Sequence, residues 1–463
     1  MRQKLISIFI LIYIFLCGCN KDTVSNPNGN KNINSENHST GNSAVQVHES
    51  TNIISSEARP FDISEHTNGT NLKLGVSWET DKGRYAILPL NNSSYNIVFF
   101  DYALMKQYPL CNKPNCSHNG EDCNSFLHNF EIKSGGNLTY SPTETHYSRF
   151  KSVFMYNGRI YILSNNRIIS MKPDGTDRTT IVNIPDKYHP ESMFYVDGKF
   201  IIEASVYTQN VDNKHEINSV TAFLQLDISK KEVVELSKWE HHNEEPSIIM
   251  LGIFNENAYY LRSVEGELMT ESTQEAYDRA RNTAKRGVLK VNIKTGESET
   301  FIEDQLAFQF DYVNFIGNCI YYHSRKDKIM YEINLESGEK RGLITNLEGY
   351  CGVTTIVDGK LIYYINYNES EIEKKESRSP GKFYYDMKTG KTQEIKPISG
   401  GSEAIVFGRY RGDYLMKTSE SKDSFQIGRI SKADFWAGEY NKAKETFTFE
   451  FKDIKNILFG GLI

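Results

Sequence analysis

The sequence contains none of the local motifs that announce a common catalytic site. There is no Gly-x-Ser-x-Gly, no His-Glu-x-x-His, no glycine-rich phosphate loop and no EF-hand string. These absences exclude a nucleophile elbow, a zinc-protease helix and a phosphate cradle as locally encoded features. They do not exclude a carboxylate pair assembled in space, which needs no fixed spacing. Positive charge is also short: 53 Lys and Arg face 59 Asp and Glu, for a formal net charge of −6. That balance has no electrostatic footprint for nucleic acid, so no such partner is expected. Proline is sparse, at 12 residues. The N-terminal apolar run, Leu5 to Leu16, is too short to cross ~30 Å of hydrocarbon comfortably. Cysteines are few and sit at 17, 19, 111, 116, 123, 319 and 351. With the first two set apart as part of an N-terminal signal, five remain, and an odd number cannot form a complete internal disulfide set.

What is abundant is aromatic: 28 Tyr and 25 Phe. With Val, Ile and Thr these favour pleated, half-buried surfaces. The 32 glycines supply turns. The profile is all-β.

The first nineteen residues carry an address. Arg2 and Lys4 form a short basic region, the apolar run follows, and Leu16-Cys17-Gly18-Cys19 closes it. This is the layout of a cleaved secretory signal. The tetrapeptide resembles the lipobox of bacterial lipoproteins. The resemblance implies a signal peptide over 1–18 and lipidation at Cys19, which becomes the first mature residue. It places the protein on the cell membrane, facing outside the cytoplasm, with the bilayer as a partner through the acyl chains. Loss of Arg2 and Lys4 takes the formal charge from −6 to −8, so the anchor alone must supply membrane attachment. Residues 19–71 read as a lipidated polar tether, rich in Asn, Ser, Thr and Gly, too poor in apolar residues to offset ordering entropy. Such a tether reaches roughly 40 Å.

From residue 72 to 463 one unit recurs: a strand, a tight turn, an aromatic strand, then a second hairpin. Its clearest copy runs from Gly352 through Asp358-Gly359 and Tyr363-Tyr364 to Lys388-Thr389-Gly390-Lys391. Asp-Gly between alternating strands is a type I′ hairpin signal. Further copies begin near Phe154, Phe194, Ile253 and Val313, and looser ones span Leu74–Leu110 and Ala404–Phe451. A repeated four-stranded unit that cannot bury its own faces must stack on its copies, and a closed ring protects the edges. The expectation is a β-propeller of seven four-stranded blades, present as a monomer. Ile168 to Asp177, reading Ile-Ile-Ser-Met-Lys-Pro-Asp-Gly-Thr-Asp, is similar to repeats of TolB-like and low-density-lipoprotein-receptor-type propeller lipoproteins of bacteria. That resemblance implies the fold and carries no assigned ligand.

Two insertions interrupt the repeat. Residues 265–287 read as a helix, with Ser272-Thr-Gln-Glu275 as a capping box, Gly287 at its end, and Lys285 and Arg286 near the negative end of its dipole. Residues 111–150 hold a cysteine-histidine segment, Cys111-x4-Cys116-x-His118-x4-Cys123. Four soft or borderline ligands in thirteen residues, with Pro114 and Gly120 for tight turns, suit a closed structural zinc site. One disulfide with a spare thiol, and a redox role, stay open as readings. His128 is a nearby further candidate but reads as a loop residue. Cys319 and Cys351 fall at opposite ends of their units, about 23 Å apart. A disulfide needs Cα atoms within ~7 Å, so the two read as buried thiols. The Tyr-Tyr pairs at 259–260, 321–322, 363–364 and 384–385 read as one packed ring and one outward-facing ring each. His241 and His242 read as a solvated loop.

The functional expectation is a tethered propeller that binds a glycan, peptide or protein partner through the loops at one end of its channel, without catalysis. The alternatives are a carbohydrate- or peptide-degrading enzyme on the same scaffold, and a structural envelope component. Neither the ligand-binding residues nor a catalytic set is named by the sequence.

Overall fold

Among the described residues, four hairpins are closed by consecutive residues with positive φ: Asn157-Gly158 (48° and 68°), Asp197-Gly198 (47° and 81°), Asp358-Gly359 (49° and 69°) and Arg411-Gly412 (52° and 85°). Two left-handed residues in a row define the type I′ turn, whose twist matches that of its strands, which is why Asn, Asp and Gly recur there. The second hairpin of several repeats uses another device. Asn292, Asn334 and Asp386 each accept, on a side-chain oxygen, the N–H groups two and three residues on. A left-handed glycine, Gly296, Gly338 or Gly390, then closes the loop.

The computed structural model describes residues 62–65, 71–91, 94–128, 151–164, 166–209, 217–240, 247–264, 284–306, 310–366, 381–398, 401–421 and 424–450, with scattered positions between 266 and 283. The strands form seven antiparallel sheets, each built from consecutive segments of the chain. Blade 1 spans 77–109 with a further strand at Phe126–His128; blades 2 to 7 span 151–183, 189–240, 247–306, 310–344, 350–394 and 406–450. The chain is therefore an all-β propeller of seven blades. Residues 1–18, where a signal peptide is expected, Cys19, and the pair His241 and His242 lie outside the described residues.

The core is not inside any blade but between blades. One apolar cluster joins blades 1, 2 and 3 through residues such as Ile87, Ile162 and Ile202. Others join blade 3 to 4, 4 to 5, 5 to 6 and 6 to 7. The last joins blade 7 to blade 1, through Phe407 and Leu415 against Phe100 and Tyr102. At that closure buried Glu79 accepts hydrogen bonds from the Arg409 N–H at 2.7 Å and the Tyr102 hydroxyl at 3.3 Å. The ring thus closes by packing and side-chain bonds between its first and last blades, each of which is complete in itself.

Because both faces of a blade are covered, strand alternation does not divide inside from outside. All six residues of Cys319–Ser324 are buried. This corrects the expected fate of the Tyr-Tyr pairs. Tyr259 and Tyr260 are 3% and 1% exposed, and Tyr321 and Tyr322 are 1% and 2% exposed. Tyr260 packs in the interface of blades 3 and 4 and Tyr259 in that of blades 4 and 5. These two pairs each serve two interfaces instead of one interface and solvent, whereas at 363–364 and 384–385 the first ring is buried and the second half-buried. Cys319 and Cys351 are buried free thiols within one cluster.

Three boundaries differ from the sequence reading. Gly287 lies in a strand, Lys285–Asn292, and does not end a helix. Helical backbone is described at Ala276, Arg279, Ala280 and Thr283, with Thr273 accepting the Ala276 N–H at 3.2 Å; Ser272 and Glu275 of the expected capping box lie outside the described residues. A short helix absent from the sequence reading, Lys432–Trp436, sits in the outer hairpin of blade 7 with Ser431 as its N-cap. The chain also joins the ring earlier than residue 72. Asp62 accepts the N–H groups of Asn157 and Gly158 at 3.0 and 2.6 Å, and Ile63 is fully buried. Residues 71–74 then pair antiparallel with the first strand of blade 3, Asn71 opposite Val196 and Leu74 opposite Met193. This fifth strand lies on the channel-side edge of blade 3. It enters the ring from the end that carries the tight type I′ turns.

Candidate metal centre in the first blade

The outermost strand of blade 1 is interrupted. Lys106–Pro109 pairs with Val98 to Asp101, and Phe126–His128 pairs with Ser94 to Asn96, on the same edge of the same strand. Between them, opposite Ile97, fifteen residues from Cys111 to Ser125 leave the sheet. The Leu110 N–H donates to the Ile97 carbonyl and the Ile97 N–H donates to the Ser125 carbonyl, each at 2.9 Å. His128 is therefore a strand residue, not the loop histidine expected of it.

The excursion folds back on itself to bring its ligands together. Asn115 and His118 adopt positive φ, 58° and 57°, giving two sharp reversals. The Cys123 N–H donates to the Gly120 carbonyl at 3.0 Å, and the Lys113 ammonium donates to the Asp122 carbonyl. As a result one donor atom from each of Cys111, Cys116, His118 and Cys123 lies within 4.8 Å of all the others. The Nδ1 of His118 stands 3.3 Å from the Cys123 sulfur. A tetrahedral zinc with Zn–S of ~2.3 Å and Zn–N of ~2.0 Å has ligand–ligand edges of about 3.5–3.8 Å, so the arrangement fits a metal with little rearrangement. All four cysteine-histidine residues grouped by sequence spacing are thus adjacent in space, and the group could hold a metal ion. The described cysteines are free thiols.

The surroundings act differently on two of the thiols: at Cys116 the His118 N–H lowers the thiol, but burial and the neighbouring sulfurs outweigh it and leave it raised, whereas Cys111 is lowered. Burial raises the Cys111 thiol, but the N–H groups of Lys113 and Asn124 and the neighbouring sulfurs outweigh it and bring it below the usual range. The Cys123 sulfur is 3.0 Å from the Ser125 hydroxyl, which in turn donates to the Asn96 side-chain oxygen at 3.3 Å. Blade 2 holds the segment from outside. Nη1 of Arg178 donates to the carbonyls of Cys123, Asn124 and Phe126 at 3.1, 2.9 and 2.7 Å. Such outer partners orient metal ligands. Sequence reasoning missed Arg178, Ser125 and Asn96. Arg178 belongs to the next repeat and Asn96 to an earlier strand, so neither has a spacing relation to the cysteines; Ser125, two positions after Cys123, is too common a residue type in loops to stand out.

No protein-family model and no curated protein sequence matches the chain. Solved structures do. A puromycin hydrolase S511A mutant complexed with PGG matches with a TM-score of 0.43 and 10% identity, over 82% of this chain and 55% of that one. The acylaminoacyl peptidase of Pyrococcus horikoshii matches with a TM-score of 0.43 and 12% identity, again over 82% and 55%. The β-propeller domain of the trilobed protease of Pyrococcus furiosus, described as having an open velcro topology, matches with a TM-score of 0.36 and 12% identity, over 80% and 90%. The chain spans about half the length of the first two. At these identities the likeness concerns the fold alone.

Proposed function

We propose that this chain is a lipid-anchored, extracytoplasmic propeller that binds a glycan, peptide or protein partner on one end of its ring. The observation that carries the reading is an asymmetry between the two ends. The first strand of each blade leads into a tight turn at one end, and the strand order then fixes where every other connection emerges. Apart from the excursion in blade 1, the three longest connections, 129–150, 265–284 and 367–380, all leave from the opposite end. Three exposed large apolar residues, Val76, Tyr207 and Ile249, lie at that same end on or beside inner strands, at 45%, 47% and 53% exposure. Exposed apolar side chains gathered at one end of a ring suit recognition better than packing. The N-terminal strand, Asn71–Leu74, enters from the other end.

The test is an array of glycans and peptides probed with the full chain, wild type and a Tyr207→Ala/Ile249→Ser double variant, with product analysis. Binding that the double variant loses supports the reading. Binding that survives it, or released product, overturns it. For the anchor, Cys19→Ser should yield soluble protein or an uncleaved precursor; unchanged membrane attachment contradicts lipidation. The ion suited to Cys111, Cys116, His118 and Cys123 is zinc, because three thiols and one imidazole form a closed tetrahedral set with no position for substrate. Its role is then structural.

A further inference from the structure

We infer that zinc at the Cys111–Cys123 group is the fastener of the outer edge of blade 1: with the ion bound, both halves of the interrupted strand lie in register, and without it that edge opens while the ring stays folded. The inference rests on the zinc reading above.

Little else in the segment holds it. From Asn112 to Asp122 the sequence is Asn, Lys, Pro, Asn, Cys, Ser, His, Asn, Gly, Glu, Asp. None of these has an apolar side chain to bury beyond Pro114 and Cys116, and within the excursion only Cys123 and Ser125 are fully buried. Two of its residues sit in the left-handed region, which side chains other than glycine adopt at a cost. A polar, strained loop of this kind needs a cross-link to keep one shape. The strand it delivers, Phe126–His128, has three residues, too few to hold a sheet edge alone.

The same ion reaches blade 2. The three carbonyls that receive Arg178 all lie at the Cys123 end of the excursion. Loss of the metal would scatter those acceptors and release a contact between neighbouring blades. The chemistry balances simply. Zinc displaces three thiol protons to solvent and takes neutral His118, leaving a complex of net charge −1. Lys113 and Arg178 are the cations beside it.

Hydrogen exchange on the reduced, full chain tests this, with zinc and after chelation, alongside a cobalt(II) titration. Cobalt should bind once, with the intense visible bands of a tetrahedral thiolate site. On chelation, exchange in 94–98, 106–110 and 126–128 should accelerate at least about tenfold while blades 4 to 6 stay unchanged. Cys111, Cys116 and Cys123 should alkylate rapidly only without metal. Cys319, whose thiol burial pushes up to about 12, and Cys351 serve as unreactive references. His118→Cys, which keeps four ligands, should retain protection, and His118→Ala should lose it. No cobalt binding by the reduced chain removes both the zinc reading and the fastener. Cobalt binding with unchanged exchange at 94–98 leaves zinc and overturns the fastener. Accelerated exchange in every blade overturns it too, because the opening would then be global.

Discussion

Leu110 and Ser125, fifteen positions apart in the chain, share one partner: Ile97 accepts from the first and donates to the second, each at 2.9 Å. In an uninterrupted antiparallel pair a single residue makes both bonds. Here the ladder is continuous on one side and broken on the other, and everything between the two partners projects from the sheet. The candidate metal centre is thus an insertion at one register position, not a separate domain.

Arg178 is the main outside support of that insertion. Its replacement by Met keeps the alkyl stem but leaves three carbonyls without their donor. Hydrogen bonds to a charged group in a half-buried setting contribute enough that Arg178→Met should cost about 2–3 kcal/mol in denaturant unfolding. Cobalt affinity should fall as well, since the Cys123 carbonyl is one of the three acceptors. A variant of wild-type stability would show that Arg178 does not latch the blades.

The outer-hairpin glycines should not respond alike. A methyl on Gly175 would collide with the Leu110 carbonyl, and one on Gly296 with the Lys238 carbonyl, each across a blade interface. Nothing lies within 4 Å of the corresponding position at Gly338. All three have positive φ, at 81°, 76° and 72°. Gly338→Ala should therefore cost only the left-handed strain, about 1 kcal/mol, while Gly175→Ala and Gly296→Ala should each lose several times more. Thermal unfolding of the three variants separates the two costs.

Asp62 pins the incoming chain to blade 2. It accepts N–H groups from Asn157 and Gly158 and the hydroxyl and N–H of Ser64. Burial pushes its carboxyl up, but these bonds more than offset that and hold it below the ordinary value of 3.8. The stability it contributes is present above pH 3.8 and is lost as pH falls through the lowered folded value. Asp62→Ala should cost about 1–2 kcal/mol at neutral pH. Exchange should speed up at 62–65 and 71–74, with blades 5 and 6 unaffected.

His323 predicts an acid-sensitive interface. It is fully buried, and neither ring nitrogen has a partner at hydrogen-bonding geometry, although the Leu347 backbone lies near. Burial, with the nearby Arg325 charge, brings its pKa down from 6.5 to about 4. Between those values the unfolded chain binds a proton that the folded chain refuses. Stability is therefore complete above pH 6.5 and declines as pH falls toward about 4, by roughly 3 kcal/mol for this group. His323→Leu should flatten that part of the stability–pH curve; an unchanged slope would assign it to other groups.

Much of this was legible from local chemistry. Asp197-Gly198 and Asp358-Gly359 name their own turn type, and the recurrence of such turns with aromatic strands sets the blade number. The cysteine-histidine spacing named its group, because four ligands within thirteen residues can converge without help from distant chain. The Tyr-Tyr pairs at 259–260 and 321–322 differ from the sequence reading for a definite reason. Alternation reports that successive side chains point to opposite faces, but not whether a face meets solvent or another sheet. Tyr259 and Tyr260 differ in which neighbour they meet, and neither meets water. The helix boundary failed similarly, since Gly287 suits a helix end and a sheet position where Asp304 and the Ile302 backbone crowd the Cα equally well.

By itself the sequence determined the repeating hairpins, their turns and the grouping of Cys111, Cys116, His118 and Cys123, because each depends on residues close together in the chain. Only the tertiary structure decided that blades bury both faces, that residues 71–74 line the channel edge of blade 3, that Arg178 braces the cysteine segment and that the long connections share one end. Those relations join residues of different repeats, and spacing along a chain carries no information about which repeat becomes whose neighbour until the ring has closed.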